Sequence, residues 1–211
     1  MTIEAVLFDI GGVILSSPFE AFSAYEVAAG LEPDTIRGLN ATNPDTNAWA
    51  RFERSELDPK EFCEVFEAEA AEQGFVVDAA AVLGCLAGKI RPRMVEVVRE
   101  CASRYRTAAV TNNFMPANGA ELYAGTVSLG EDIYPLFDAV IESRVVGYRK
   151  PDERFYRFAL EALGVEAAAC VMLDDLGVNL KPARAMGMKT IKVTDPDVAI
   201  AELESILGHP V

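Results

Sequence analysis

Val6-Leu7-Phe8 is apolar at every position, and the run ends on a single acid, Asp9, followed after Ile10 by the pair Gly11-Gly12. A strand that does not alternate is buried on both faces, as in a parallel sheet covered by helices, and the two glycines then break it. Asp9 therefore falls at the carboxyl end of a strand, the edge at which open α/β sheets bind ligands. A carboxylate there is a candidate nucleophile or metal ligand. An Asp capping a turn before a helix is the plainer alternative.

Beyond Leu15 the pattern becomes helical. Phe19, Phe22, Val27 and Ala28 fit one apolar face up to Gly30, Pro33-Asp34 opens a short polar segment, and Asn40 to Asn47 reads as a loop. Trp49 and Phe52 start another helical face, Phe62, Val65 and Phe66 recur at helical spacing over an acidic opposite side, and an Ala-rich helix covers about Asp78 to Ala87. From Arg91 onward, helix and strand alternate. Pro92 opens a helix; Thr107 to Asn113, Ala139 to Glu142, Cys170 to Asp175 and Thr190 to Val193 read as strands; Glu153–Leu163, Asn179 to Met186 and Val198 to Leu207 read as helices. This predicts an α/β fold, a Rossmann-like parallel sheet with helices on both faces. Residues 1–15 and 89–211 form that core, and residues 16–88 are an inserted helical cap over the carboxyl edge of the sheet. Its aromatic stripes are core positions, with Trp49 and the Asn40 to Asn47 loop as candidates for a substrate-facing patch.

Charge and composition narrow the chemistry. Thirty-three acidic against 19 basic residues give a net charge of −14, which argues against nucleic acid and against anionic membrane surfaces as partners. No apolar run reaches the ~18 residues needed to span a bilayer, and no basic segment precedes a long apolar stretch near the start, so a cytoplasmic protein is expected. The four cysteines, Cys63, Cys85, Cys101 and Cys170, form no CxxC pair and read as buried free thiols. His209, two residues from the end of the sequence, is the only histidine, which argues against Ser-His-Asp and Cys-His catalysis and His-rich zinc sites. Carboxylates, lysine and hydroxyls remain.

Strand ends converge on one edge. Asp9, Thr111 with Asn112, and Asp174 with Asp175 all fall there, and Lys150, held extended by Pro151, joins them. A carboxylate attacking an anionic phosphate needs its own charge and the transition-state charge offset. Three clustered carboxylates invite a divalent cation, and an all-oxygen donor set favours Mg²⁺. Three carboxylates, Mg²⁺ and one lysine sum to neutrality before substrate arrives. Asp9 then attacks in line, Lys150 keeps it ionised and aimed, and the Thr111 hydroxyl with nearby backbone amides binds phosphoryl oxygens. Asn112 and Asn113 either position substrate or close the turn. Tyr148 and Arg149 are weaker candidates for a substrate oxygen, and Lys181 and Arg184 read as helix-surface residues.

The ordered set Phe8-Asp9-Ile10-Gly11-Gly12-Val13, Val110-Thr111-Asn112-Asn113, Arg149-Lys150-Pro151-Asp152 and Leu173-Asp174-Asp175 resembles the four motifs of the haloacid dehalogenase (HAD) superfamily. The run from Leu173 to Met188 resembles the branch containing the N-terminal phosphatase domain of soluble epoxide hydrolases. The resemblance implies a Rossmann-like core with a cap inserted after the first strand, and an aspartyl-phosphate formed on Asp9. It also implies Mg²⁺ held by Asp9, the backbone carbonyl of Gly11, and the pair Asp174 and Asp175, with Asp175 the more direct ligand.

One position departs from that pattern. Most phosphatases of the superfamily carry a second Asp two residues after the nucleophile, acting as general acid and base, and here Gly11 stands in its place. Losing such a group typically costs about 10²- to 10⁴-fold in rate. The expected function is a phosphomonoesterase acting on a small phosphorylated metabolite, slow or selective for good leaving groups, and working as a monomer or homodimer. A non-catalytic phosphometabolite-binding or regulatory protein is the alternative. A dehalogenase is a third, opposed by the retained acids Asp174 and Asp175.

Overall fold

The computed structural model describes residues 2–86, 88–112 and 133–211. Five strands, β1 (Ala5–Phe8), β2 (Arg106–Thr111), β3 (Ala139–Glu142), β4 (Cys170–Asp174) and β5 (Lys189–Lys192), pair in parallel in the order β3-β2-β1-β4-β5. The non-alternating runs behave as their composition demands: every residue of β1 and of β4 is buried. Val6 and Phe8 share a core with Met94, Val97 and Val98 of helix Pro92–Ala102 and with Leu203 of helix Pro196–Leu207. Ala5 and Leu7 pack on the opposite face with Phe155, Tyr156 and Ala159 of helix Glu153–Leu163 and Leu180 of helix Gly177–Ala185. Burying each large apolar side chain contributes about 1.5–3 kcal/mol, so the two-sided cores fix β1 firmly in the middle of the sheet.

Chain order runs outward from β1 through β2 to β3 on one side, then restarts at β4 on the other. The reversal between β1 and β4 is the switch point at which open α/β sheets form a crevice beyond their strand ends. Asp9 follows β1 directly, and Asp174 ends β4.

The described residues divide into two compact units, one of them Ser17–Gly88 and the other formed by the flanking segments that carry the sheet. The Ser17–Gly88 unit is helical: α1 (Pro18–Ala29), α2 (Thr35–Ala41), α3 (Ala48–Glu53), α4 (Pro59–Glu72) and α5 (Ala79–Gly84). Its core is aromatic, with Trp49 5.1 Å from Phe62 and Phe62 stacked 5.3 Å from Phe66, centroid to centroid. Trp49 is thus a core residue of this unit rather than a member of a substrate-facing patch. The acidic residues here cap one another's helices. Glu26 accepts from Asp34 N (3.0 Å) and Ile36 N (2.8 Å), Glu69 from Ala48 N (2.8 Å), and Glu67 from Ala79 N (3.1 Å). Carboxylates at helix N-termini satisfy orphan amides and meet the positive end of the dipole.

Helix α2 lies where the sequence reads as a polar segment running into a loop. Seven residues carry no usable period, and the helix depends on the Glu26 carboxylate delivered from α1 to its first turn. All four thiols are free. Cys101 and Cys170 are buried as expected, whereas Cys63 and Cys85 are only half-buried. Burial pushes both the Cys101 and the Cys170 thiols up to about 12, so they are unreactive. Among the described residues, no helix is long and apolar enough to cross a membrane.

Candidate active site

Parallel pairing puts Phe8 beside Leu173, so the next residues, Asp9 and Asp174, leave adjacent strands side by side. The backbone continues this alignment for one more bond, Asp9 N to Leu173 O at 2.9 Å. Between the two carboxylates lies the ammonium of Lys150, 3.0 Å from Asp9 Oδ2 and 2.7 Å from Asp174 Oδ2. Its third donor goes to the carbonyl of Val110 at 2.9 Å. Lys150 therefore ties together the ends of β2, β1 and β4, and with only 1% of its surface exposed it is among the largest fully buried side chains.

The remaining oxygens are also held. Asp9 Oδ1 accepts from Ile10 N at 2.7 Å. Asp174 Oδ1 accepts from Leu176 N (2.8 Å) and from Asn179 Nδ2 (3.0 Å), and Asp174 Oδ2 also accepts from Asn179 Nδ2 at 3.1 Å. Asn179 is itself buried, its carbonyl accepting the Tyr156 hydroxyl at 2.6 Å. Asp175, partly exposed, lies against Gly12, where an added Cβ would come within 2.1 Å of Asp175 Oδ2. Gly12 has φ of 75°, so this position needs glycine both for its backbone and for the carboxylate it seats.

Asp9, Asp174 and Asp175 each offer an oxygen within 4.8 Å of the others. Burial pushes the Asp9 carboxyl well above its usual value, Lys150 opposes the rise, and Asp174 and Asp175 add to it. Burial draws the Lys150 ammonium down, but Asp174 and Asp9 outweigh it and hold the group above its usual value. Three acids thus face one lysine, and the cluster carries more negative charge than that lysine offsets. An all-oxygen donor set with excess negative charge fits a hard divalent cation.

Thr111 ends β2 and is buried, two residues beyond the β1 pairing, at the same edge. Asn112, expected either at the substrate or in the turn, pairs its side chain with the backbone of Lys150: its Oδ1 accepts Lys150 N at 2.8 Å and its Nδ2 donates to Lys150 O at 3.0 Å. The amide of Asn112 pairs with the backbone of Lys150 as a neighbouring strand would, and so aims the lysine. Asn113 lies outside the described residues. Gly11 has ordinary backbone angles (φ −68°, ψ 132°), and nothing lies within 4 Å of an added Cβ. Tyr148 stacks under Arg154, 4.1 Å from guanidinium carbon to ring centroid, while Lys181 and Arg184 are exposed on their helix. Sequence reasoning gave no role to Asn179 and marked Gly12 only as a strand breaker. The one cue was a polar residue beside Leu180 and Ala183 on the buried face of its helix.

Comparison with known proteins decides the family. A sequence model described as haloacid dehalogenase-like hydrolase matches residues 3–187. The chain belongs to this hydrolase family. Among its relatives, acyl-CoA dehydrogenase family member 10 of Mus musculus is 33% identical over 98% of this chain and 19% of the mouse protein. Bifunctional epoxide hydrolase 2 of Sus scrofa is 39% identical over 49% of this chain and 18% of its own length. The chain thus spans less than a fifth of each of these two proteins. The sesquiterpene phosphatase astK of Aspergillus oryzae is 26% identical, covering 98% of both chains. A HAD family enzyme of Bacteroides thetaiotaomicron, solved in complex with magnesium and inorganic phosphate, has the same fold, with a TM-score of 0.60 at 15% identity over 90% of this chain and 93% of its own.

Proposed function

We propose that this HAD-like hydrolase is a Mg²⁺-dependent phosphomonoesterase that acts on a small phosphorylated metabolite through an aspartyl-phosphate on Asp9. The observation that carries the reading is the Lys150 ammonium bridging Asp9 and Asp174 at the switch point, with Asp175 seated on Gly12 beside them. A phosphatase among the full-length relatives, and magnesium with phosphate in a protein of the same fold, support it.

Asp9, Asp175, the Gly11 carbonyl and, more remotely, Asp174 would hold Mg²⁺, which when bound offsets the charge of the phosphoryl oxygens. With Oδ1 held by the Ile10 amide and Oδ2 by Lys150, the Asp9 carboxylate is fixed before substrate arrives. One of its oxygens attacks phosphorus as the bond to the leaving oxygen breaks, giving an acyl phosphate. Water then attacks that phosphorus, releasing inorganic phosphate and restoring Asp9. Thr111 donates its hydroxyl to a phosphoryl oxygen. Both oxygens of Asp174 are engaged by Lys150, Leu176 and Asn179, which suits a residue that orients the lysine and leaves the more direct contact to Asp175.

Gly11 supplies no proton to the leaving oxygen. The favoured substrates are therefore phosphates whose leaving groups depart with little protonation, such as acyl, aryl or glycosyl phosphates. In this reading residues 16–88 are the inserted cap that selects the substrate. A phosphate-ester panel with Mg²⁺, run on wild type and Asp9→Asn, tests the proposal. Turnover of activated phosphates by wild type and none by the variant is expected; turnover surviving in Asp9→Asn, or unaffected by a chelator, contradicts it. A binding protein without turnover is the second reading, and Gly11 is the observation that favours it.

A further inference from the structure

Arg91 has no part in the scheme above, yet it reaches the turn that follows the nucleophile. It precedes the first residue of helix Pro92–Ala102, and its Nη1 donates to the carbonyls of Gly12 (2.5 Å) and Val13 (3.3 Å). Its own N–H donates to Ile14 O at 2.8 Å, and next to it Leu15 and Ile90 form an antiparallel bridge. The turn Ile10–Ile14 is tied down at both ends, by Asp9 N to Leu173 O and by Leu15 N to Ile10 O, each 2.9 Å. Between these ties stand two glycines with no side chain to hold them, and the backbone of such a pair is the freest a chain can have. The guanidinium, with fixed donors and a permanent charge, grips the middle of this turn.

Gly12 is also the surface against which Asp175 rests, so its peptide must stay in one orientation for that carboxylate to keep its place. We infer that Arg91 is a positioning residue: by clamping the Gly12 and Val13 carbonyls it holds the Gly11-Gly12 turn in the shape that seats Asp175, and so sets the affinity of the acidic cluster for Mg²⁺. The inference rests on the Mg²⁺ site proposed above.

The test is direct titration of Mg²⁺ into the metal-free protein by calorimetry, without substrate. The proteins compared are wild type, Arg91→Met, Arg91→Lys and Arg93→Met, with folding checked by circular dichroism. Arg93 lies on the same helix and donates to Val211 O at 3.0 Å, away from the turn. Arg91→Met is expected to weaken Mg²⁺ by about 10- to 100-fold, as loss of a group supporting metal ligands commonly does. Arg91→Lys, which keeps a charged donor, recovers part of the loss, and Arg93→Met binds as wild type does. If Arg91→Met fails to fold, Arg91→Lys against Arg93→Met decides. Wild-type affinity in the folded Arg91 variants, or an equal loss in Arg93→Met, overturns the inference. Absence of Mg²⁺ binding in wild type overturns the proposed metal site instead.

Discussion

Lys150 sits with almost no exposed surface between two carboxylates, so it bears on the fold as well as on the proposed chemistry. Removing one partner of a buried ion pair leaves uncompensated charge behind and costs about 3–5 kcal/mol. Lys150→Met should therefore lower stability by that order in urea unfolding, even though the replacement is apolar and of similar length. The two glycines nearby make opposite demands. Gly11 has open space and ordinary angles, so Gly11→Asp should fold as wild type does and raise turnover of alkyl phosphates far more than of aryl phosphates. Equal gains on both would show that leaving-group protonation is not what Gly11 limits. Gly12→Ala meets both a left-handed backbone and the Asp175 carboxylate, so the same added methyl should be tolerated at 11 and damaging at 12.

Among the elements, the end of β2 does two jobs in the proposed mechanism: Val110 and Asn112 grip Lys150, and Thr111, buried beside them, is the residue proposed to bind a phosphoryl oxygen. Asn112→Ala removes two hydrogen bonds and Asn112→Asp turns one into a repulsion with the Lys150 carbonyl, so both should lower kcat by tenfold or more with little change in KM. The strands β1 and β4 and their acidic ends were legible in the sequence because a strand buried on both faces is written as an unbroken apolar run, and both fall where those runs lie. Helix Glu153–Leu163 was legible for the same kind of reason, a clear apolar face closed by Gly164. What could not be read were the particular partners, backbone or carboxylate, that polar side chains find. Asn112 meets Lys150, Asn179 steadies Asp174, Glu26 starts α2 and Arg91 meets Gly12, and nothing in residue type or period marks the partner.

On the scale of the molecule, a chain of net charge −14 that is to hold a phosphate ester must gather its compensation at one place. Asp9, Asp174 and Asp175 with Lys150 would do so in the proposed mechanism once a divalent cation joined them. Mg²⁺ at about 100 times its dissociation constant should stabilise the fold by about 2.7 kcal/mol, and Asp175→Asn should lose most of that gain in thermal melts. The central claim is that Asp9 itself takes up the phosphoryl group. Acid quenching within milliseconds of mixing an activated, phosphorus-labelled ester with the Mg²⁺-loaded protein, followed by peptide mapping, addresses it directly. Label on the peptide containing Asp9, absent from Asp9→Asn, is the result expected; bound ester with no label on the protein at any time would contradict the account.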